Sequence, residues 1–187
     1  QCTACVAGFA DADSDPTTEC SLCEAGSYAA AQHAGACSSC AAGTFAPTAG
    51  GTSVAACENC AAGQYAGPDS ASCVFCTAGA ADTDTNASTP CDACLAGSFA
   101  GCGSTECTSC VAGTIDADED PATPCTECAA GFYWQNASGF NAIASCVQCQ
   151  AGRADADSDS TTGCVECDIG SYSGVASTAC VACAAGS

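Results

Sequence analysis

Cys20-Ser21-Leu22-Cys23-Glu24-Ala25-Gly26-Ser27-Tyr28 carries the pattern that organises the whole chain. Its grammar is Cys-x-x-Cys-x-Ala-Gly. Eleven copies open at Cys2, Cys20, Cys37, Cys57, Cys73, Cys91, Cys107, Cys125, Cys146, Cys164 and Cys180. Glycine stands three residues after the second cysteine in every copy, and alanine precedes it everywhere except at Ile169. A glycine fixed at one position of a repeat points to a backbone with positive φ or one pressed against a neighbour. Successive copies lie 16 to 21 residues apart, a short repeat that tolerates loop insertions.

A second period lies over the first. The copies opening at Cys2, Cys73, Cys107 and Cys146 carry acidic loops that begin at Asp11, Asp82, Asp116 and Asp155. Those opening at Cys20, Cys57, Cys91, Cys125 and Cys164 carry Tyr28, Tyr65, Phe99, Tyr133 and Tyr172 five residues after their second cysteine. The expected unit is therefore a two-module, four-cysteine repeat. Its copies span 1–36, 37–72, 73–106, 107–145 and 146–179, and a sixth starts at 180–187. The pattern is cut at both ends, as in a window from a longer repetitive protein.

Composition sets the fold class. There are 23 cysteines among 187 residues, the mark of a disulfide scaffold. Val, Ile, Leu, Phe, Trp and Tyr together number only 24 and are scattered, so no sizeable apolar core can form. A chain that buries so little must be held by cross-links, and disulfides persist in oxidising compartments. An extracellular or cell-surface location follows. No window keeps a helical apolar period, and Gly, Asp, Thr and Ser interrupt every few residues. The expected fold is a small disulfide-rich repeat protein, an elongated rod of short β-hairpins, extended segments and turns with almost no helix.

The formal net charge is −20, with Arg153 as the one basic side chain apart from His33. That composition argues against nucleic acid, whose binding depends on phosphate neutralisation, and against anionic membrane surfaces. No apolar run reaches membrane-spanning length. A redox or hydrolytic centre lacks raw material: thiolate activation needs a nearby positive charge or a helix N-terminus. The chain reads as a non-enzyme. Zinc is the rival use of Cys-x-x-Cys pairs. The uniformity of eleven pairs and the extracellular composition favour disulfides.

Two pairings remain open. A rolling ladder joins the second cysteine of one pair to the first of the next: Cys5–Cys20, Cys23–Cys37, Cys40–Cys57, Cys60–Cys73, Cys76–Cys91, Cys94–Cys107, Cys110–Cys125, Cys128–Cys146, Cys149–Cys164 and Cys167–Cys180. Cys2 and Cys183 would then bond beyond the window. The competitor is a nested first-to-third, second-to-fourth pairing in each four-cysteine unit, and spacing does not decide between them. Cys102 has no counterpart in other copies. It is either unpaired, a partner within a rearranged module, or an intermolecular cross-link.

The run Cys-x-x-Cys-x-x-Gly-[Ser/Thr]-[Tyr/Phe] followed by Cys-x-x-Cys, as from Cys20 to Cys40, resembles ephrin-receptor-like and tumour-necrosis-factor-receptor-like cysteine-rich modules. The latter resemblance implies the rolling pairing. The tandem array, rich in Ala, Thr and Gly and lacking Lys, also resembles the surface immobilisation antigens of ciliates, where segments like Ala129-Ala130-Gly131-Phe132-Tyr133-Trp134 are common. These resemblances imply a coat antigen or filament subunit that self-associates, or alternatively a receptor or adhesin ectodomain.

Three further features are candidates for function. Asp116, Asp118 and Asp120, followed by Glu127, echo calcium-loop spacing, as do Asp155, Asp157 and Asp159, followed by Glu166. Pro121 and Ser160 occupy the position where such loops need glycine. A solvated acidic turn is the competing reading, and no other cofactor is indicated. Asn86-Ala87-Ser88 and Asn136-Ala137-Ser138 are N-glycosylation sequons, so glycans are expected. Phe132, Tyr133, Trp134 and Phe140 form either a local mini-core or a contact patch.

Overall fold

The computed structural model describes residues 4–13, 15, 17–30, 35–136 and 144–184. Cys2, His33, Ser138 and Phe140 lie outside the described residues. Among the described residues, ten antiparallel two-stranded hairpins follow one another. Among the described residues there is no α-helix, only a single 3-10 turn at Val54–Ala56. The protein is a small disulfide-rich repeat.

Contacts divide it into two compact units, Gln1–Ala93 with Gly101–Glu106, and Cys94–Ala100 with Cys107–Ser187. The first unit holds five hairpins: Phe9–Ala10 with Ser21–Leu22, Ser27–Tyr28 with Ser38–Ser39, Thr44–Phe45 with Glu58–Asn59, Gln64–Tyr65 with Val74–Phe75, and Ala80–Ala81 with Asp92–Ala93. It also takes in the tip of the sixth hairpin. The second unit holds the other five: Ser98–Phe99 with Thr108–Ser109, Thr114–Ile115 with Thr126–Glu127, Phe132–Gln135 with Ser145–Gln148, Arg153–Ala154 with Val165–Glu166, and Ser171–Tyr172 with Val181–Ala182.

The recurring Cys-x-Ala-Gly explains how each hairpin starts. The residue after glycine donates its N–H to the carbonyl three residues back, as from Phe9 to Val6 at 3.0 Å and from Ser27 to Glu24 at 3.1 Å. Glycine is the third residue of that turn and has positive φ, +91° at Gly26 and +75° at Gly63. This is a type II turn, whose third position excludes side chains that clash in the left-handed region. Where serine or threonine follows glycine, its hydroxyl donates to the same carbonyl. Ser27 reaches Glu24 O at 2.9 Å and Thr114 reaches Val111 O at 2.8 Å. The turn chemistry thus accounts for Gly-[Ser/Thr] in the repeat.

Disulfides close the hairpins. Ten bonds join the second cysteine of one pair to the first of the next, from Cys5–Cys20 through Cys167–Cys180. Cα separations are 5.5 to 5.7 Å, near the middle of the range a disulfide needs. Each bond spans 13 to 18 residues of chain, so each contributes about 3 kcal/mol in the chain-entropy account. Among the described residues the buried hydrophobic ones are all cysteine and alanine, including Cys23, Cys40, Cys76, Cys149, Ala10, Ala81 and Ala154. Large apolar side chains such as Leu95 and Ile169 remain exposed. Covalent bonds and backbone hydrogen bonds do the work that an apolar core does elsewhere.

Candidate functional site

The most informative position is the third residue after each turn glycine, where one hairpin meets the next. In the plain junctions the glycine N–H donates to a backbone carbonyl there. Gly8 reaches Ala29 O at 2.9 Å, Gly26 reaches Ala46 O at 2.9 Å, and Gly43 reaches Ala66 O at 2.8 Å. In the acidic junctions the acceptor is a carboxylate. Gly63 N–H donates to Asp82 Oδ2 at 3.2 Å, Gly97 to Asp116 Oδ2 at 3.1 Å, and Gly131 to Asp155 Oδ2 at 3.0 Å. These three aspartates are only 5, 9 and 5% exposed. A carboxylate so placed needs donors, and an inter-hairpin amide supplies one.

The tip of the following hairpin adds a second contact. The residue in the junction position donates its own N–H to a tip carbonyl: Ala29 to Gly51 O, Ala66 to Ala87 O, Asp82 to Ser104 O, and Asp155 to Ser177 O, all within 3.0 Å. Tips also lie against turn glycines. A Cβ added at Gly63 would stand 2.0 Å from Gly103 O, and one at Gly131 would stand 2.1 Å from Ala176 O. Each hairpin within a unit is thereby docked on its near neighbours, the arrangement of a repeat protein.

Beyond the junction residue, each acidic loop is closed by its own donors. Asp13 accepts from Asp15 N–H and the Thr18 hydroxyl, and Asp118 from Asp120 N–H and the Thr123 hydroxyl. Asp157 accepts from Asp159 N–H and the Thr162 hydroxyl. Asp120 accepts from Ala122 N–H, and Asp159 from Thr161 N–H and its hydroxyl. Backbone N–H bonds first, then threonine hydroxyls, hold Asp13, Asp84, Asp118 and Asp157 below the usual aspartate value; Asp15 follows the same order with Thr17. At Asp159 the Thr161 hydroxyl comes first and its N–H second.

The calcium candidates divide accordingly. Asp116 and Asp155 are buried in junctions, whereas Asp118, Asp120, Asp157 and Asp159 are exposed and hold their own loops. Among the described residues, no three His, Cys, Asp or Glu side chains gather in a group that could hold a metal ion. The sequence reading grouped all these aspartates and missed the junction role. The signal was available: the third residue after glycine is Ala at 29, 46, 66 and 100, and Asp at 11, 82, 116 and 155. At that position in the eighth hairpin stands Trp134, whose Nε1 is buried without a hydrogen-bond partner. Phe132, Tyr133 and Trp134 are all half-buried on the longest strand pair.

The remaining candidates sit apart. Cys102 and Cys183 are exposed and outside any disulfide. Asn86 lies in the tip of the fifth hairpin and Asn136 just past Gln135, both exposed. Arg153 donates to Glu166 across the ninth hairpin, an exposed pair of the kind that adds little stability. No helix among the described residues is long and apolar enough to cross a membrane.

No match was found among curated proteins. Residues 12–57 match the family model described as tyrosine-protein kinase ephrin type A/B receptor-like. That stretch encloses Cys23–Cys37 and Cys40–Cys57. The match and the ten-bond ladder of tandem hairpins together fit cysteine-rich ephrin-receptor-like modules, and they point to an extracellular, receptor-like module rather than to an enzyme family.

Proposed function

We propose that the chain is a non-catalytic structural protein of the cell exterior, a surface-coat antigen or a subunit of an extracellular filament. The observation that supports it is the docking scheme. Turn glycine, junction residue and hairpin tip form a self-complementary set, repeated with little change, that joins hairpin to hairpin. A surface built to receive its own kind can also receive it from another chain, and such head-to-tail contacts extend unless they close. The strong negative charge keeps unassembled chains apart and soluble.

A second reading is a receptor or adhesin ectodomain that binds a protein ligand. The match over residues 12–57 favours it. Light scattering and electron microscopy on native material separate the two. Coat or filament predicts particles of many times the 17.8 kDa chain mass. A monodisperse monomer would overturn that reading and leave the ectodomain.

A further inference from the structure

Four acidic loops can be superposed in sequence by their first aspartates, and the fifth position of each does the same job. Asp15 Oδ1 accepts from Thr17 N–H at 2.9 Å and from its hydroxyl at 2.7 Å. Asp120 Oδ1 accepts from Ala122 N–H at 2.9 Å. Asp159 Oδ1 accepts from Thr161 N–H at 2.9 Å and its hydroxyl at 2.7 Å. In the fifth hairpin the residue is Asn86. Its Oδ1 accepts from Ser88 N–H at 3.1 Å and from the Ser88 hydroxyl at 2.7 Å. A backbone N–H only donates, so this contact fixes which end of the amide is oxygen.

The fold therefore asks this position for one acceptor oxygen, and aspartate meets the need in three loops out of four. Asparagine adds an amide nitrogen that the loop does not use. Asn86 is exposed, and the hydrogen bonds of its side chain among the described residues are both at Oδ1. The backbone around it is tied down. Asn86 N–H donates to Asp82 Oδ1 at 3.1 Å and Asp84 Oδ1 at 2.9 Å, and its carbonyl accepts from Thr89 N–H at 3.0 Å. Asn86 also borders an open concavity of about 360 Å³ shared with Thr44 and Asn59.

We propose that Asn86 is an N-linked glycan attachment site. The loop uses Oδ1 for Ser88 and leaves Nδ2 outside its hydrogen bonds as the acceptor, and the residue two positions on supplies the hydroxyl that the sequon requires. The donor class is an oligosaccharide carried on a polyprenyl diphosphate. Nδ2 loses one proton and forms a bond to the anomeric carbon of the reducing-end sugar. The bond from that carbon to the diphosphate oxygen breaks, and the lipid diphosphate departs with the electron pair. No oxidation or reduction is involved. The inference rests on the extracellular reading, since the transfer belongs to the secretory route.

The test is peptide mass spectrometry on native protein, with cysteines blocked before reduction, before and after amidase release of N-glycans in heavy-oxygen water. The Asn86 peptide should carry a glycan mass that is lost on release, leaving labelled aspartate at 86. Ser88→Ala should abolish the glycan while Asn86 Oδ1 keeps the residue 88 N–H. Asn86→Asp should abolish it with no shift in thermal midpoint beyond that of enzymatic release, because aspartate serves in the other loops. A bare Asn86 peptide in a protein whose cysteines are disulfide-bonded would overturn this inference alone. Free thiols throughout would overturn the extracellular reading with it.

Discussion

The junction from Gly43 to Ala66 and the junction from Gly63 to Asp82 use the same donor and differ only in the acceptor. In the first, a backbone carbonyl takes the glycine N–H at 2.8 Å. In the second, a carboxylate takes it at 3.2 Å, and its other oxygen takes Asn86 N–H. The plain junction needs no side chain beyond Cβ, so alanine fills it. The acidic junction ties three things together: the preceding turn, the new strand and the loop at its own tip. A repeat built from one backbone scheme thus carries two kinds of joint, and the acidic kind stakes part of its stability on a single side chain.

The comparison is broken most severely at the shared donor. Gly63→Ala places a methyl 2.0 Å from Gly103 O and forces alanine to a φ of +75°. The left-handed backbone costs about 1–2 kcal/mol, and overpacking against a carbonyl adds about 1–3 kcal/mol. Gly152→Ala meets nothing within 4 Å, so only the backbone cost applies. Calorimetric midpoints should fall further for Gly63→Ala, and equal falls would remove the role given to the tip contact.

Next in size is the acceptor. Asp82→Ala leaves the Gly63 N–H without its partner and frees the loop at Asn86, at a cost of about 1–3 kcal/mol. Hydrogen exchange should quicken at Gly63 and Asn86 while Gly43, in the plain junction, keeps its protection. Unchanged exchange at Gly63 would mean that the carboxylate is dispensable.

The smallest effect comes from the exposed carboxylates. Folding lowers Asp13, Asp84, Asp118 and Asp157 below 3.8, so their contribution is fully present above that value and is lost as pH falls through the lower folded values. Carboxyl titration by NMR should place all four under 3.8. The loops should loosen in acid below that point while the disulfide ladder persists. Ordinary titration would show that the threonine and amide contacts do not form in solution.

These contrasts also mark what the sequence could reveal. The hairpin starts were legible because a type II turn is a local device: one glycine at a fixed offset requires it, and Ser27 or Thr114 reinforces it within three residues. The weak apolar core was legible from composition, and among the described residues the buried hydrophobic positions are Cys and Ala. The pairing of cysteines was open to two solutions on spacing alone, because both bring cysteines together over similar loop lengths. The split role of Asp82 and Asp84 was not read. They stand two residues apart in one acidic run, and what separates them is the amide of Gly63, nineteen residues upstream. A contact between hairpins shows up in sequence only when the repeats are compared position by position.

Disulfide mapping on native protein tests the central claim most directly, by peptide mass spectrometry before and after reduction with free thiols blocked first. The account predicts ten rolling bonds, from Cys5–Cys20 to Cys167–Cys180, with Cys102 and Cys183 outside the ladder. Nested bonds such as Cys5–Cys23, or closure of Cys-x-x-Cys pairs on themselves, would contradict it.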